Sequence, residues 1–275
     1  MADITVAAIK RVREITGAGM SDVKAALVAS GGDENVAVDV LRKKGAAKSI
    51  KRAGERDATN GVVAAAEGAL IELACETDFV AKNEQVEQLA AEIAAHAGKT
   101  GIGETDKLLG ETLADGRTVG TTIEHLAAAM GEKMELRHAA YFDGPVATYL
   151  HRRSSDLPPQ IGVIVAFTGD GDDAAEAARG AAMQVASLRA QYVSIEDVPA
   201  EDVAREREVA EGIAREEGKP EAALQRIVDG RVQGFYKDVV LTEQSSVRDS
   251  KKTVKALLAE AGVTVTRFAR FEVGG

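Results

Sequence analysis

The apolar residues of this chain keep a helical period through its first 45 residues and first change period near residue 60, and that change limits what the chain can fold into. Upstream, Ile4, Ala7, Ala8, Val12 and Ile15 recur at helical spacing. Thr16-Gly17-Ala18-Gly19 breaks the pattern, because glycine tolerates backbone angles that end a helix. Ser21 is expected to cap a second helix carrying Val23, Ala26, Leu27 and Ala29. Gly31-Gly32 ends it, and Asp33 is expected to cap a third helix with Val36, Val40 and Leu41. Gly45 follows the basic triplet Arg42-Lys43-Lys44, which suits a helix C-terminus. Residues 1–45 therefore read as a three-helix bundle, and 48–56 (KSIKRAGER) as a basic linker.

Downstream, Gly61-Val62-Val63-Ala64-Ala65-Ala66, Glu67-Gly68 and Ala69 to Cys75 read as a β-hairpin with a glycine-containing turn. A helix is expected from about Asn83 to Ala97, with Val86, Leu89, Ala90, Ile93 and Ala97 on one face. Residues 98–118 are Gly/Thr-rich and read as irregular. Val119–Met130 is helical again, and strands are expected at Met134–Asp143, Val146–His151 and Gln160–Thr168. Asp172–Ala190 is an alanine-rich helix. Pro199 opens a charged helix with Glu201–Arg205 and Glu211–Arg215 pairs. Its apolar stripe is Val203, Ala210, Ile213 and Ala214. Gly218-Lys219-Pro220 turns the chain into a second helix carrying Leu224, Ile227, Val228 and Phe235, each arm about 28 Å long at ~1.5 Å per residue. A last helix, Val254–Ala261, and a last strand, Val263–Val273, close the chain. The class is α+β, in three parts: 1–53, a helical module with its basic linker; 54–143, one half of a core; and 144–275, the other half, with a helical hairpin at about 199–240. That hairpin is expected to project from the second half.

Composition narrows the chemistry. Alanine supplies 49 of 275 residues and loses no side-chain entropy in a helix, while aromatic residues are 4 %, too few for a large aromatic-lined pocket. A net charge of −10 speaks against a surface that grips nucleic acid as a whole. The charge is unevenly placed: residues 1–56 hold 11 Lys/Arg against 7 Asp/Glu, so separate modules with different partners are expected. The single cysteine, Cys75, excludes an intrachain disulfide and a multi-cysteine zinc site. The start carries no cationic segment followed by an apolar run, and no stretch approaches the ~18 apolar residues of a membrane span. A soluble, cytoplasmic protein with no membrane partner is the expectation.

Several motifs invite a chemical reading and lose it on inspection. Ala97-Gly98-Lys99-Thr100 resembles the end of a phosphate-binding loop, but Ile93 stands where its first glycine belongs, and the segment follows a helix rather than a strand. Gly169-Asp170-Gly171-Asp172-Asp173 follows a strand and opens a helix, yet its aspartates would repel a pyrophosphate. As a calcium loop it fails at Ala181, where the bidentate glutamate belongs. His96, His125, His138 and His151 are scattered, so metal ligation is not expected. Cys75 reads as a small buried hydrophobe before it reads as a nucleophile. The basic run 42–56 reads as a solvated helix end and linker, with RNA binding as the alternative; no aromatic residue is interleaved for base stacking. Thr77-Asp78-Phe79-Val80 lies between the hairpin and the next helix. Asp78 there is a candidate cap, and Phe79 either tucks into the core as a staple or stands free on the turn.

Read together, these segments resemble a family. Thr16-Gly17-Ala18-Gly19-Met20 with its following Ser-Asp-Val-Lys-Ala-Ala-Leu helix, Gly32-Asp33 and Lys44-Gly45-Ala46 resemble the N-terminal module of translation elongation factor Ts. Glu76-Thr77-Asp78-Phe79-Val80-Ala81-Lys82-Asn83 is similar to that family's signature. Tyr149-Leu150-His151, Ile161-Gly162-Val163 and Phe268-Ala269-Arg270-Phe271-Glu272-Val273 match in order. The resemblance implies an ubiquitin-associated-like three-helix module, a two-part core with small antiparallel sheets, and an antiparallel coiled coil. It implies a partner, the GTPase elongation factor Tu, and an activity, exchange of its bound GDP for GTP, with no catalytic residue, cofactor or nucleotide site in the factor itself. It makes Phe79 a wedge entering between helices of the GTPase, with Asp78 helping to displace the elements that hold Mg²⁺, and Thr77 and Val80 beside them. Arg13 and Met20 correspond to positions facing the nucleotide domain, and Met130 and His151 to further contacts. The C-terminal docking helix of some members is not expected here.

Overall fold

The structure is a computed structural model that describes residues 4–16, 18–41 and 57–274. The basic segment 42–56 expected as helix end and linker lies outside the described residues. Helices α1 (Val6–Thr16), α2 (Met20–Ala29) and α3 (34–41) share a core of Ala8, Val12, Val23, Ala26, Leu27, Ala37, Val38 and Leu41. Asp33 caps α3 as expected, its Oδ1 accepting the Val36 N–H at 3.1 Å. Ser21 does not cap α2: Gly19 holds the N-cap position and makes no side-chain bond. On α3 the buried residues are Ala37, Val38 and Leu41, whereas Val36 and Val40 face outward. Arg11 reaches from α1 to Glu34 with two bonds, of 3.0 and 2.6 Å.

The chain divides into two compact units, the first running through Tyr141 and adding Leu150–Ile161 and the segment from Phe271, the second Phe142–Tyr149 with Gly162–Arg270. In the first, β1 (Asn60–Ala66), β2 (Ala69–Cys75) and β3 (Met134–Tyr141) form an antiparallel sheet in that order. Glu67 and Gly68 both take positive φ, 48° and 81°, the turn whose twist matches a two-residue hairpin, and Ala66 pairs with Ala69 across it. The helical Asp78–Ala81 turn, α4, is followed by α5 (Glu84–Thr100), capped by the Asn83 side chain and covering the sheet with the apolar face read from the sequence. Gly98 shows why the phosphate-loop reading fails. It lies in the last turns of α5, where an added Cβ would stand 2.7 Å from the Glu67 Cβ and 2.8 Å from the Ala66 carbonyl oxygen. Its glycine is there for packing on the hairpin.

The stretch 98–118 is less irregular than its composition suggests. It contains a short helix, α6 (Thr105–Gly110), with Leu108 fully buried, and a bridge between Thr112 and Thr118. Thr118 then caps α7 (Val119–Met130), which ends on left-handed Gly131.

In the second sheet the order is β4 (Val146–His151), β5 (Ile161–Thr168), β6 (Thr264–Glu272); both sheets are small, three-stranded and antiparallel. Between β5 and β6 come α8 (Asp172–Leu188), α9 (Ala200–Glu216), α10 (Glu221–Val239) and α11 (Val254–Glu260). α9 and α10 form an antiparallel hairpin around Gly218, with Ala210, Ala214, Leu224, Val228 and Val232 in its seam. Arg207–Asp229 at 2.8 Å and Arg231–Glu217 at 2.9 Å cross it. Arg215 pairs with Glu211 as expected, but Arg205 pairs with Asp202 rather than Glu201. The architecture is the α+β arrangement expected.

Candidate functional site

The chain leaves β2 at Cys75 and turns through Glu76 and Thr77 into the single turn of α4. Thr77 is extended, and its Oγ1 accepts the Val80 N–H at 3.4 Å, so Thr77, not Asp78, is the cap. Asp78 is the first helical residue, where a carboxylate suits the positive end of the peptide dipoles. Val80 and Ala81 turn inward and are buried. That leaves Phe79 facing out: it is 80 % exposed, the tuck into the core is not made, and Val80 takes that place.

Contacts from distant parts of the chain hold this turn. The Thr77 N–H and Oγ1 donate to the two carboxylate oxygens of Glu132, at 3.1 and 2.8 Å. The Lys133 N–H donates to Glu76 Oε1 at 2.7 Å, and Asn60 donates to the Glu76 carbonyl at 2.9 Å. At the other end Lys82 places its ammonium 3.2 Å from Asp78 Oδ2 and 2.8 Å from Asp156 Oδ2, and 5.8 Å from the centre of the Phe79 ring. The Lys82 ammonium, then the Ser154 hydroxyl, hold the Asp156 carboxyl down at about 2. The two carboxylates raise Lys82 in turn.

Met130 ends α7 two residues before Glu132 and packs, half-buried, against the core of the first sheet. His151 ends β4 on the surface, its carbonyl accepting the Gln160 N–H at 3.0 Å at the base of the loop that carries Asp156. Arg13 and Met20 are exposed on α1 and α2, outside the core that the first three helices share, and do not belong to this cluster. Among the described residues no group of His, Cys, Asp and Glu is placed to hold a metal ion. None of the described helices is long and apolar enough to cross a membrane.

Cys75 is fully buried. Burial first, then the nearby Glu132 carboxylate, push its thiol up to about 12. At pH 8 roughly one molecule in ten thousand carries a thiolate, the reactive form. The folded protein is therefore expected to resist iodoacetamide at pH 8 and to be labelled only after unfolding in urea. Native labelling at the rate of a free thiol would place Cys75 among reactive groups.

A sequence profile described as Elongation factor TS matches residues 76–275, beginning at the segment that carries α4. The chain is 58 % identical to an elongation factor Ts of Rhodococcus erythropolis over 274 residues, covering 100 % of this chain and 99 % of that one. It is 57 % identical to those of Nocardia farcinica and Saccharopolyspora erythraea, with the same coverage. The chain belongs to the elongation factor Ts family. Within the family's matched segment, sequence reasoning named Thr77, Asp78, Phe79 and Val80 and passed over what positions them. Lys82, four residues after Asp78, was legible as a helical ion pair. Glu132 and Asp156 were not, because they lie 55 and 74 residues from the groups they hold.

Proposed function

We propose that this protein is a guanine nucleotide exchange factor for the translation GTPase elongation factor Tu. Family membership supports the partner, and the observation that carries the surface is Phe79, a large apolar ring left in solvent on a braced turn. Exposed aromatic anchors of this kind supply much of the energy of protein interfaces. On this reading the factor is not an enzyme in the covalent sense and works in the cytoplasm without cofactor, metal or nucleotide of its own. A GTPase holds its nucleotide chiefly through phosphate contacts and Mg²⁺. A protein that binds the nucleotide-free form more tightly must weaken nucleotide by the same factor. Phe79 supplies the wedge and Asp78, beside it, the charge that disturbs the Mg²⁺ site. Thr77 and Val80 hold the turn in place. Arg13 and Met20 on the first module, with Met130 and His151, extend the contact.

The test is release of fluorescently labelled GDP from purified elongation factor Tu. Catalytic amounts of this protein are expected to accelerate it. An unchanged release rate at saturating protein would overturn the reading, as would GTP hydrolysis by the purified chain alone.

A further inference from the structure

A single helical turn is not stable by itself, because forming the first turn fixes several residues for one hydrogen bond. α4 is such a turn, and with its ring in solvent Phe79 gains no direction from packing. Its orientation comes from the buried Val80 and Ala81 beside it and from what grips the two ends of the turn. At the first end the grip is Glu132, whose bonds to Thr77 are tied into the fold. At the second it is Lys82, the residue that closes α4, whose ammonium lies between Asp78 on the same turn and Asp156 on the loop after β4.

We propose that Lys82, gripped by Asp156, is a positioning residue that fixes the direction of α4 and so of Asp78 and Phe79 toward the partner. The inference rests on the exchange-factor reading and deepens it. The Lys82 ammonium is shared by three features of the turn: the Asp78 carboxylate, the Phe79 ring and an anchor 74 residues away. Without it, Asp78 loses its cation and α4 loses its tie to the loop. Both partners are solvated, Lys82 at 31 % and Asp156 at 64 % side-chain exposure, so the pair contributes little to overall stability. Its effect is on geometry, and small displacements of a contact surface cost disproportionately in rate.

The experiment measures maximal GDP release at saturating factor, together with thermal unfolding, for wild type, Lys82→Met, Asp156→Ala, the double variant and Lys82→Arg. Lys82→Met and Asp156→Ala are each expected to lower the maximal rate about threefold to tenfold. The double variant should be no slower than Lys82→Met, because both remove one link. Lys82→Arg, which can still span two carboxylates, should recover most of the rate. All melting temperatures should stay within about 2 °C of wild type. An unchanged maximal rate in Lys82→Met overturns the inference. So do losses that multiply in the double variant, or losses that follow the melting temperature. A second readout separates this step from the functional reading, because it needs no partner. Backbone ¹⁵N order parameters of Asp78–Ala81 should fall from about 0.85 to below about 0.7 in Lys82→Met. Unchanged order parameters overturn the positioning role, whereas a wild type that fails to release GDP overturns the exchange reading.

Discussion

Phe79→Ala is expected to slow GDP release from elongation factor Tu about thirtyfold, with a melting temperature within about 2 °C of wild type. The two halves of that expectation have different physical sources. In the free protein the ring is 80 % exposed, so truncation removes little buried area and leaves no cavity. A buried phenylalanine would behave otherwise, with a loss of about 3–5 kcal/mol on truncation. On the proposed reading the same ring packs against the partner in the complex, where an aromatic anchor of that size buries roughly 150–250 Å². Losing a hot spot of about 2 kcal/mol corresponds to the thirtyfold change. Asp78→Ala should reduce exchange less, since a carboxylate adds orientation and repulsion rather than buried area. Unfolding and GDP release measured on one preparation separate the two possibilities. A large drop in melting temperature with normal exchange per folded molecule would return Phe79 to the core and move the partner surface elsewhere.

The sequence carried the order of elements because most are marked twice, by period and by punctuation. α7 begins after Thr118 and ends at Gly131, and its apolar residues repeat between them. The first hairpin turns on Glu67-Gly68, a pair that tolerates left-handed backbone only at the cost borne by Glu67. The inward face of α3 was misread because Val36, Ala37, Val38, Val40 and Leu41 fit two faces nearly equally. Packing against Val12, Val23 and Leu27 selects the one with Ala37 and Leu41. α6 was hidden because six residues between glycines are too short to show a period. At the candidate site the residues were singled out in the sequence, but the exposure of Phe79 was implied only by the family resemblance and not by the local pattern. It follows from Val80 filling the buried position next to it, which is a property of the fold around α4. The anchors Glu132 and Asp156 are contacts between distant segments, and no local pattern encodes them.

The largest stability effect is expected away from that surface, at Arg137→Met: a loss of about 3 kcal/mol at pH 8, falling to about 1 kcal/mol near pH 5. β2 is the central strand of the first sheet and is buried along its whole length, yet it carries Glu72, only 1 % exposed. Glu72 Oε1 has no hydrogen-bond partner among the described residues; the Arg137 guanidinium stands 3.6 Å away on β3. Arg137 is itself fixed by Glu135 and by the Ala58 carbonyl, each at 2.7 Å. Burial pushes the Glu72 carboxyl up; Arg137 pulls it down, and Glu135 opposes Arg137. A carboxyl raised in the folded state binds its proton more tightly there than in the unfolded chain. Its contribution to stability therefore falls as pH rises from the ordinary value of 4.5 through the raised one. Removing Arg137 raises it further, so the damage grows with pH and is largest where an uncompensated carboxylate must stay buried. His138, paired across from Glu72, is held below its usual value by burial and then by Arg137, and its relief in the variant also favours the low-pH side. The remainder, common to both pH values, is the lost bonding to the Ala58 carbonyl and the half-exposed Glu135 carboxylate, worth about 1 kcal/mol. Urea unfolding at pH 5 and pH 8 reads the difference, and adding Glu72→Gln to Arg137→Met should restore most of the loss at pH 8. A loss equal at both pH values, or one that Glu72→Gln does not reduce, would mean that Arg137 supports the sheet through Glu135 and Ala58 and leaves Glu72 uncompensated already.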